Sequence, residues 1–208
     1  MKVLIADNHY VVRKGLIQIV SIEYPEVVFD EAANGRDAYK KLMESNYHLA
    51  ILDITMPEMS GLDVVRELRK EGCKTPLFVL TAQPEAQYAL RVLRAGASGF
   101  LEKSASGGEL IVAINRILSG KKFITESVAE LLANDLLEDH SKIQHEQLSD
   151  REFEVLKLIS SGKKVSEIAE KLCLSVPTIS TYRRRLLEKM KLRNNAELMR
   201  YAMNHKLV

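Results

Sequence analysis

ILDITMPEMSG, residues 51–61, begins as a buried strand and then breaks its own pattern. Ile51 and Leu52 follow Ala50 in an apolar run, but Asp53 stands where one more apolar residue would complete it. Carboxylates are almost never buried without a partner, because desolvating one costs several kcal/mol. An aspartate at the end of an apolar strand therefore asks for a cation or a chemical role. Outward from it, residues 2–6, 27–32, 49–53, 76–81 and 99–103 read as short strands, apolar without alternation. Segments of helical spacing fill the intervals at 9–22, 35–45, 61–70, 84–94 and 106–119, the last opening on Ser106 and Glu109 at capping-box spacing. Five such βα units predict a doubly wound five-stranded parallel sheet covered on both faces.

Ligands of these sheets bind beyond the carboxyl ends of the strands. Asp7, Asp53, Thr81 and Lys103 end strands 1, 3, 4 and 5. Their convergence at one edge would bring together two carboxylates, a hydroxyl and an ammonium, a set able to hold a divalent metal and a phosphoryl group.

Composition narrows the classes. The chain has 208 residues, 46% of them hydrophobic and 28% charged, as in ordinary globular protein. No stretch approaches the roughly 20 apolar residues of a membrane span, and MKVLIADN is too short an apolar run for a signal peptide. A cytoplasmic protein without a membrane partner is expected. Cys73 and Cys173 belong to no metal or redox motif, and His9, His48, His140, His145 and His205 lack metal-ligand spacing, so none is assigned a role. Charge divides unevenly. Residues 1–146 carry 17 Lys and Arg against 21 Asp and Glu, whereas residues 147–208 carry 13 against 7. The basic segment is a candidate for nucleic acid.

LIADNH, ILDITMPEMSG, LTA and GASGFLEK, in that order, closely resemble the receiver domain of bacterial two-component response regulators over residues 1–123. The resemblance implies a flavodoxin-like fold, Asp53 as phosphoacceptor, and Mg2+ held by Asp7, Asn8, Asp53 and the carbonyl of Thr55. Lys103 would pair with the phosphoryl oxygens, Thr81 would hydrogen-bond them, and Phe100 matches the aromatic switch position. An aspartate nucleophile forms an acyl phosphate while metal and lysine neutralise the developing charge. Met56, Pro57 and Met59 are read as loop and packing residues. Receivers usually have two adjacent acids after strand 1. Asp7-Asn8 lacks one of them, so weakened Mg2+ binding is expected.

Residues 124–146 read as a linker with a short helix, on which Val128, Leu131 and Leu132 form an apolar stripe. From residue 147 to 208 the chain reads as a small all-α domain. Ser149 and Glu152 form a second capping box, and VSEIAEKL, CLS and VPTISTYRRRLLEKM have helix-turn-helix spacing with Pro177 in a first turn. This stretch closely resembles the LuxR-type DNA-binding domain, although the family usually has lysine and histidine at Ser180 and Tyr182. At about 100° per residue Ile179, Leu186 and Met190 share the packed face, while Ser180, Thr181, Arg184 and Arg185 lie opposite. Arg183 falls near the packed stripe, from which it would reach a phosphate. The candidate DNA contacts are Thr178, Ser180, Thr181, Tyr182, Arg183, Arg184, Arg185 and Lys189.

The pairing of domains resembles NarL/FixJ-type response regulators, which implies a transcriptional regulator controlled by phosphorylation of Asp53. Its partners would be double-stranded DNA, a cognate sensor histidine kinase and a second copy in the active homodimer. An alternative, motivated by Asn8, is a DNA-binding regulator whose receiver works without phosphorylation. A phosphohydrolase with an aspartate nucleophile is disfavoured, because Thr55 stands where a second acid–base carboxylate would be needed. No enzyme is expected.

Overall fold

The computed structural model describes residues 1–137, 145, 148–205, 207 and 208. They fall into two units, Met1–Leu137 and Glu138–Val208. In the first, β1 (Lys2–Ala6), β2 (Val28–Ala32), β3 (Leu49–Leu52), β4 (Leu77–Thr81) and β5 (Gly99–Glu102) form one parallel sheet in the order β2-β1-β3-β4-β5. Helices α1 (Tyr10–Glu23), α2 (Gly35–Glu44), α3 (Gly61–Lys70), α4 (Glu85–Arg94) and α5 (Gly107–Leu118) follow the five strands in turn. The doubly wound architecture expected from the chain is the one observed.

Successive strand residues point to opposite faces, so a sheet covered on both sides needs unbroken apolar strands. Val3, Ile5, Leu49, Ile51, Phe78, Leu80 and Leu101 share one buried core with Leu16 and Val20 of α1 and Leu110, Ala113, Ile114 and Ile117 of α5. Their neighbours Leu4, Leu52, Val79 and Phe100 are also fully buried. Each such side chain adds about 1.5–3 kcal/mol of hydrophobic stabilisation, which lets the sheet carry charged groups at its edge.

β1 matches its expected span, β2 and β4 start one residue later, and β3 and β5 end one residue earlier. Asp53 and Lys103 leave β3 and β5, yet their N–H groups donate to the carbonyls of Ala6 (2.8 Å) and Thr81 (2.8 Å). The ladder thus runs on into the residues of interest. Ala6 is in register with Leu52, so Asp7 and Asp53 emerge side by side from adjacent strands. Between β1 and β3 the winding of the sheet reverses, which is where a crevice opens in this fold. Gly61 closes the opening motif: a Cβ there would lie 2.0 Å from the carbonyl oxygen of Asp53, so only glycine lets α3 start this close to the site.

The helix expected at the head of the linker is α6 (Glu126–Leu137), and it packs on α4 with Val128 fully buried. The first unit therefore extends past residue 123. The rest of the expected tether falls largely on residues 138–144 and 146, which lie outside the described residues, His140 among them.

The second unit contains α7 (Asp150–Ser160), α8 (Val165–Lys171), α9 (Val176–Lys189) and α10 (Asn195–Asn204). Both capping boxes read from the sequence, Ser106/Glu109 and Ser149/Glu152, are formed. Ser175 caps α9, and Pro177 sits in its first turn, where no intrahelical N–H is required. Phe153, Leu156, Ile159, Ile168, Ile179, Leu186, Met190 and Leu198 make the core of this unit. Among the described residues no helix is long and apolar enough to cross a membrane.

Candidate functional site

At the carboxyl edge of the sheet, Asp7 and Asp53 are 1% and 4% exposed. Lys103 Nζ, itself mostly buried, lies 2.6 Å from Asp7 Oδ2 and 3.0 Å from Asp53 Oδ2. Burial pushes the Asp53 carboxyl above the usual carboxylate range, and the nearby Asp7 charge adds to the rise. Lys103, together with a hydrogen bond from Thr81, opposes it. Asp53 Oδ1 is buried and has no hydrogen-bond partner. A partly desolvated carboxylate with one such oxygen is a stronger nucleophile than a hydrated one, provided that the ammonium keeps it ionised.

Thr81 is fully buried, and its hydroxyl also accepts the N–H of Gln83 at 3.3 Å. Gln83 Nε2 donates to Thr55 Oγ1 at 3.2 Å, linking the loop after β4 to the loop after β3. Phe100 is fully buried on β5. Met56 is buried and Met59 half-buried. Asn8 and His9 are both exposed, and His9 makes two contacts with Asp7. The His9 N–H donates to Asp7 Oδ1 at 2.8 Å, and its ring Nδ1 lies 3.0 Å from the same oxygen. Ligand atoms of Asp7, His9 and Asp53 lie within 4.8 Å of one another. The sequence assigns His9 no role, and the structure places its ring beside Asp7. The missed signal was its place two residues after a strand-end aspartate, because pairwise His spacings cannot reveal a cluster assembled across strands. Arg13, also unforeseen, donates from Nη1 to the Asp7 carbonyl at 2.7 Å and pairs through Nε with Glu31 at 2.8 Å, fixing the turn.

In the second unit α9 buries Ile179, Leu186 and Met190 and exposes Ser180, Arg184 and Arg185, the faces that helical geometry assigns. The other candidate contacts are partly engaged within the unit. Thr178 takes part in the Ser175 cap, with its hydroxyl 2.7 Å from that of Ser175. Thr181 Oγ1 donates to the Pro177 carbonyl at 3.0 Å. Tyr182 is half-buried. Arg183 Nε donates to Asn195 Oδ1 at 2.7 Å, which ties α9 to the start of α10. Lys189 Nζ lies 2.6 Å from Glu152 Oε2, a buried carboxylate whose other work is the α7 capping box. The Lys189 ammonium and the α7 N-terminus together hold the Glu152 carboxyl below its usual range against the desolvation that raises it.

The model of the response regulator receiver domain matches residues 3–115, and that of the bacterial regulatory proteins of the luxR family matches residues 146–202. This chain belongs to the response regulators. It is a two-component response regulator carrying a LuxR-type DNA-binding domain, a regulator of transcription rather than an enzyme. This response regulator is 34% identical to the oxygen regulatory protein NreC of Staphylococcus carnosus over 100% of its own length and 99% of that protein's. It is also similar to RcsB from Salmonella enterica serovar Typhimurium bound to a promoter in the presence of phosphomimetic BeF3−, with 29% identity, a TM-score of 0.58 and 97% of each chain covered. A structure of two RcsB dimers bound to two parallel DNAs matches with 30% identity and a TM-score of 0.57, covering 98% of each chain. The receiver edge of this response regulator, with its Asp7, His9 and Asp53 donors, suits a divalent cation such as Mg2+.

Proposed function

We propose that a cytoplasmic sensor–regulator pathway delivers a phosphoryl group to Asp53, and that the modified chain binds double-stranded DNA as a homodimer through α9. The observation that carries this reading is the buried Asp53 carboxylate, paired with Lys103 through one oxygen and without a hydrogen-bond partner at the other. Transfer from a sensor histidine kinase forms an O–P bond at Asp53 as the P–N bond of the donor phosphohistidine breaks. Lys103 keeps Asp53 ionised for the attack and then faces the phosphoryl oxygens. Thr81 donates its hydroxyl to one of those oxygens, and Phe100 follows as the switch residue. Asp7, Asp53 and the Thr55 carbonyl would hold Mg2+, a fit supported by the unpartnered Asp53 oxygen; when bound, the ion neutralises charge on the transferred phosphoryl group.

Asn8 can offer only a neutral amide oxygen, so Mg2+ binds more weakly than at a site with two adjacent acids. On α9, the candidate contacts are Ser180, Arg184 and Arg185, with Thr178, Thr181, Tyr182, Arg183 and Lys189 around them. The receiver-like residues 1–123 and the LuxR-type residues 147–208 are joined by the segment 124–146, whose α6 packs on the first unit. The RcsB complexes, with DNA, BeF3− and dimers, support DNA binding, a phosphorylated state and pairing by analogy.

Intact-mass measurement after incubation with acetyl phosphate and Mg2+ tests the reading. One phosphoryl adduct is expected, absent in Asp53→Asn and formed faster at limiting Mg2+ in Asn8→Asp. No adduct at any Mg2+ concentration would favour the alternative that Asn8 motivates, a receiver that works without phosphorylation.

A further inference from the structure

We propose that His9 is a nitrogen ligand of the receiver's cation and that it turns the site's preference from Mg2+ towards divalent metals that accept imidazole, Mn2+ among them. The inference rests on the reading of this edge as a divalent-cation site. Lys103 occupies the Oδ2 atoms of both Asp7 and Asp53. On the side away from the lysine, a cation would meet Asp53 Oδ1, buried and without a hydrogen-bond partner, and Asp7 Oδ1, which accepts the His9 N–H and lies 3.0 Å from the His9 ring nitrogen. The three donor groups already lie within 4.8 Å of one another. No displacement of the lysine is needed to add a ligand on this side.

Donor chemistry then decides the metal. Mg2+ is a hard ion that takes oxygen ligands in near-ideal octahedral geometry and rarely an imidazole. First-row transition ions bind mixed nitrogen and oxygen sites with affinity rising from manganese, the most oxygen-seeking of them, towards the later ions that suit imidazole. In Asp7-Asn8-His9 the anionic oxygen that would favour Mg2+ is replaced by a neutral amide on an exposed side chain, while the adjacent residue brings a nitrogen donor to the cluster. Weaker Mg2+ binding and stronger Mn2+ binding are two consequences of one tripeptide. His9 is thus a specificity-determining residue.

Mn2+ serves as the probe. The full chain is titrated with Mn2+, following the free-ion electron paramagnetic resonance signal, and electron spin-echo envelope modulation of the bound ion reports directly coordinated nitrogen. Deep nitrogen modulation is expected in the wild type and should disappear in His9→Gln. That variant should lose about tenfold or more in Mn2+ affinity, since even partners of metal ligands are worth 10–100-fold, with a smaller change for Mg2+. His9 is exposed, so folding of the variant, checked by thermal melting, should be unaffected. Mn2+ binding that depends on Asp53 but shows no nitrogen modulation would overturn the proposal and leave the oxygen site standing. Binding unaffected by Asp53→Asn would overturn the site reading and the proposal together.

Discussion

Asp53 sets two requirements against each other: reactivity wants a desolvated, ionised carboxylate, and stability wants no buried charge. Its carboxyl is raised above the ordinary carboxylate range, chiefly by burial. Between the unfolded and folded titration midpoints the folded state binds more protons, so stability falls as pH rises through that window and stays lower above it. Asp53→Asn removes this cost. It should stabilise the chain by roughly 1–3 kcal/mol at pH 7, with the gain shrinking as pH is lowered into the ordinary carboxylate range. Urea unfolding of both proteins at several pH values measures this; a destabilised Asp53→Asn at pH 7 would mean that Lys103 more than compensates burial. The acidic pair, Thr81 and Lys103 were legible in the sequence because each ends a strand, and parallel topology gathers strand ends. His9 was not, because its ring reaches the site through a turn whose hydrogen bonds to Asp7 leave no periodic trace.

Among the elements, helices and strands were readable where pattern and cap coincide, as at Ser106/Glu109 and Ser149/Glu152. The docking of α6 was not, since its anchor lies 40 residues away in the chain. Glu85, at the first turn of α4, accepts a hydrogen bond from Thr125 Oγ1 at 2.7 Å and another from the Ser127 hydroxyl, just where α6 begins. Its own N–H donates to Glu102 Oε1 at 2.8 Å, so β5, α4 and α6 meet at this one residue. Two hydrogen bonds to a half-buried carboxylate are worth about 1–3 kcal/mol together. Glu85→Ala should therefore loosen α6 while the sheet keeps its protection, and Glu85→Gln, which retains an acceptor, should restore part of the loss. Hydrogen exchange resolved by segment gives the answer: equal protection of residues 126–137 in Glu85→Ala and wild type would show that the apolar contact of Val128 alone holds α6.

For the molecule as a whole, the uneven charge is the feature that joins sequence to partner: an acidic majority before residue 147 and an excess of six basic residues after it. Phosphate contacts release counterions, so the DNA affinity should fall with salt at a slope of about 0.9 per phosphate neutralised. If the bound species is a dimer on two half-sites, each substitution in α9 is counted twice. Arg183, held by Asn195 beside the packed face, would meet the DNA backbone rather than base edges under the proposed reading. Arg183→Gln should weaken all sequences alike and lower the salt slope by about two per dimer. Arg184, paired with Glu188 on an exposed face, can release that weak ion pair at little cost. Arg184→Ala should cost about 1–3 kcal/mol per half-site on selected operator DNA and little on random DNA. Anisotropy titrations of both variants on operator and random duplexes at several salt concentrations separate these effects. A slope change near one for Arg183→Gln would indicate a monomer on DNA, and an equal loss on both duplexes for Arg184→Ala would move the reading face of α9 elsewhere.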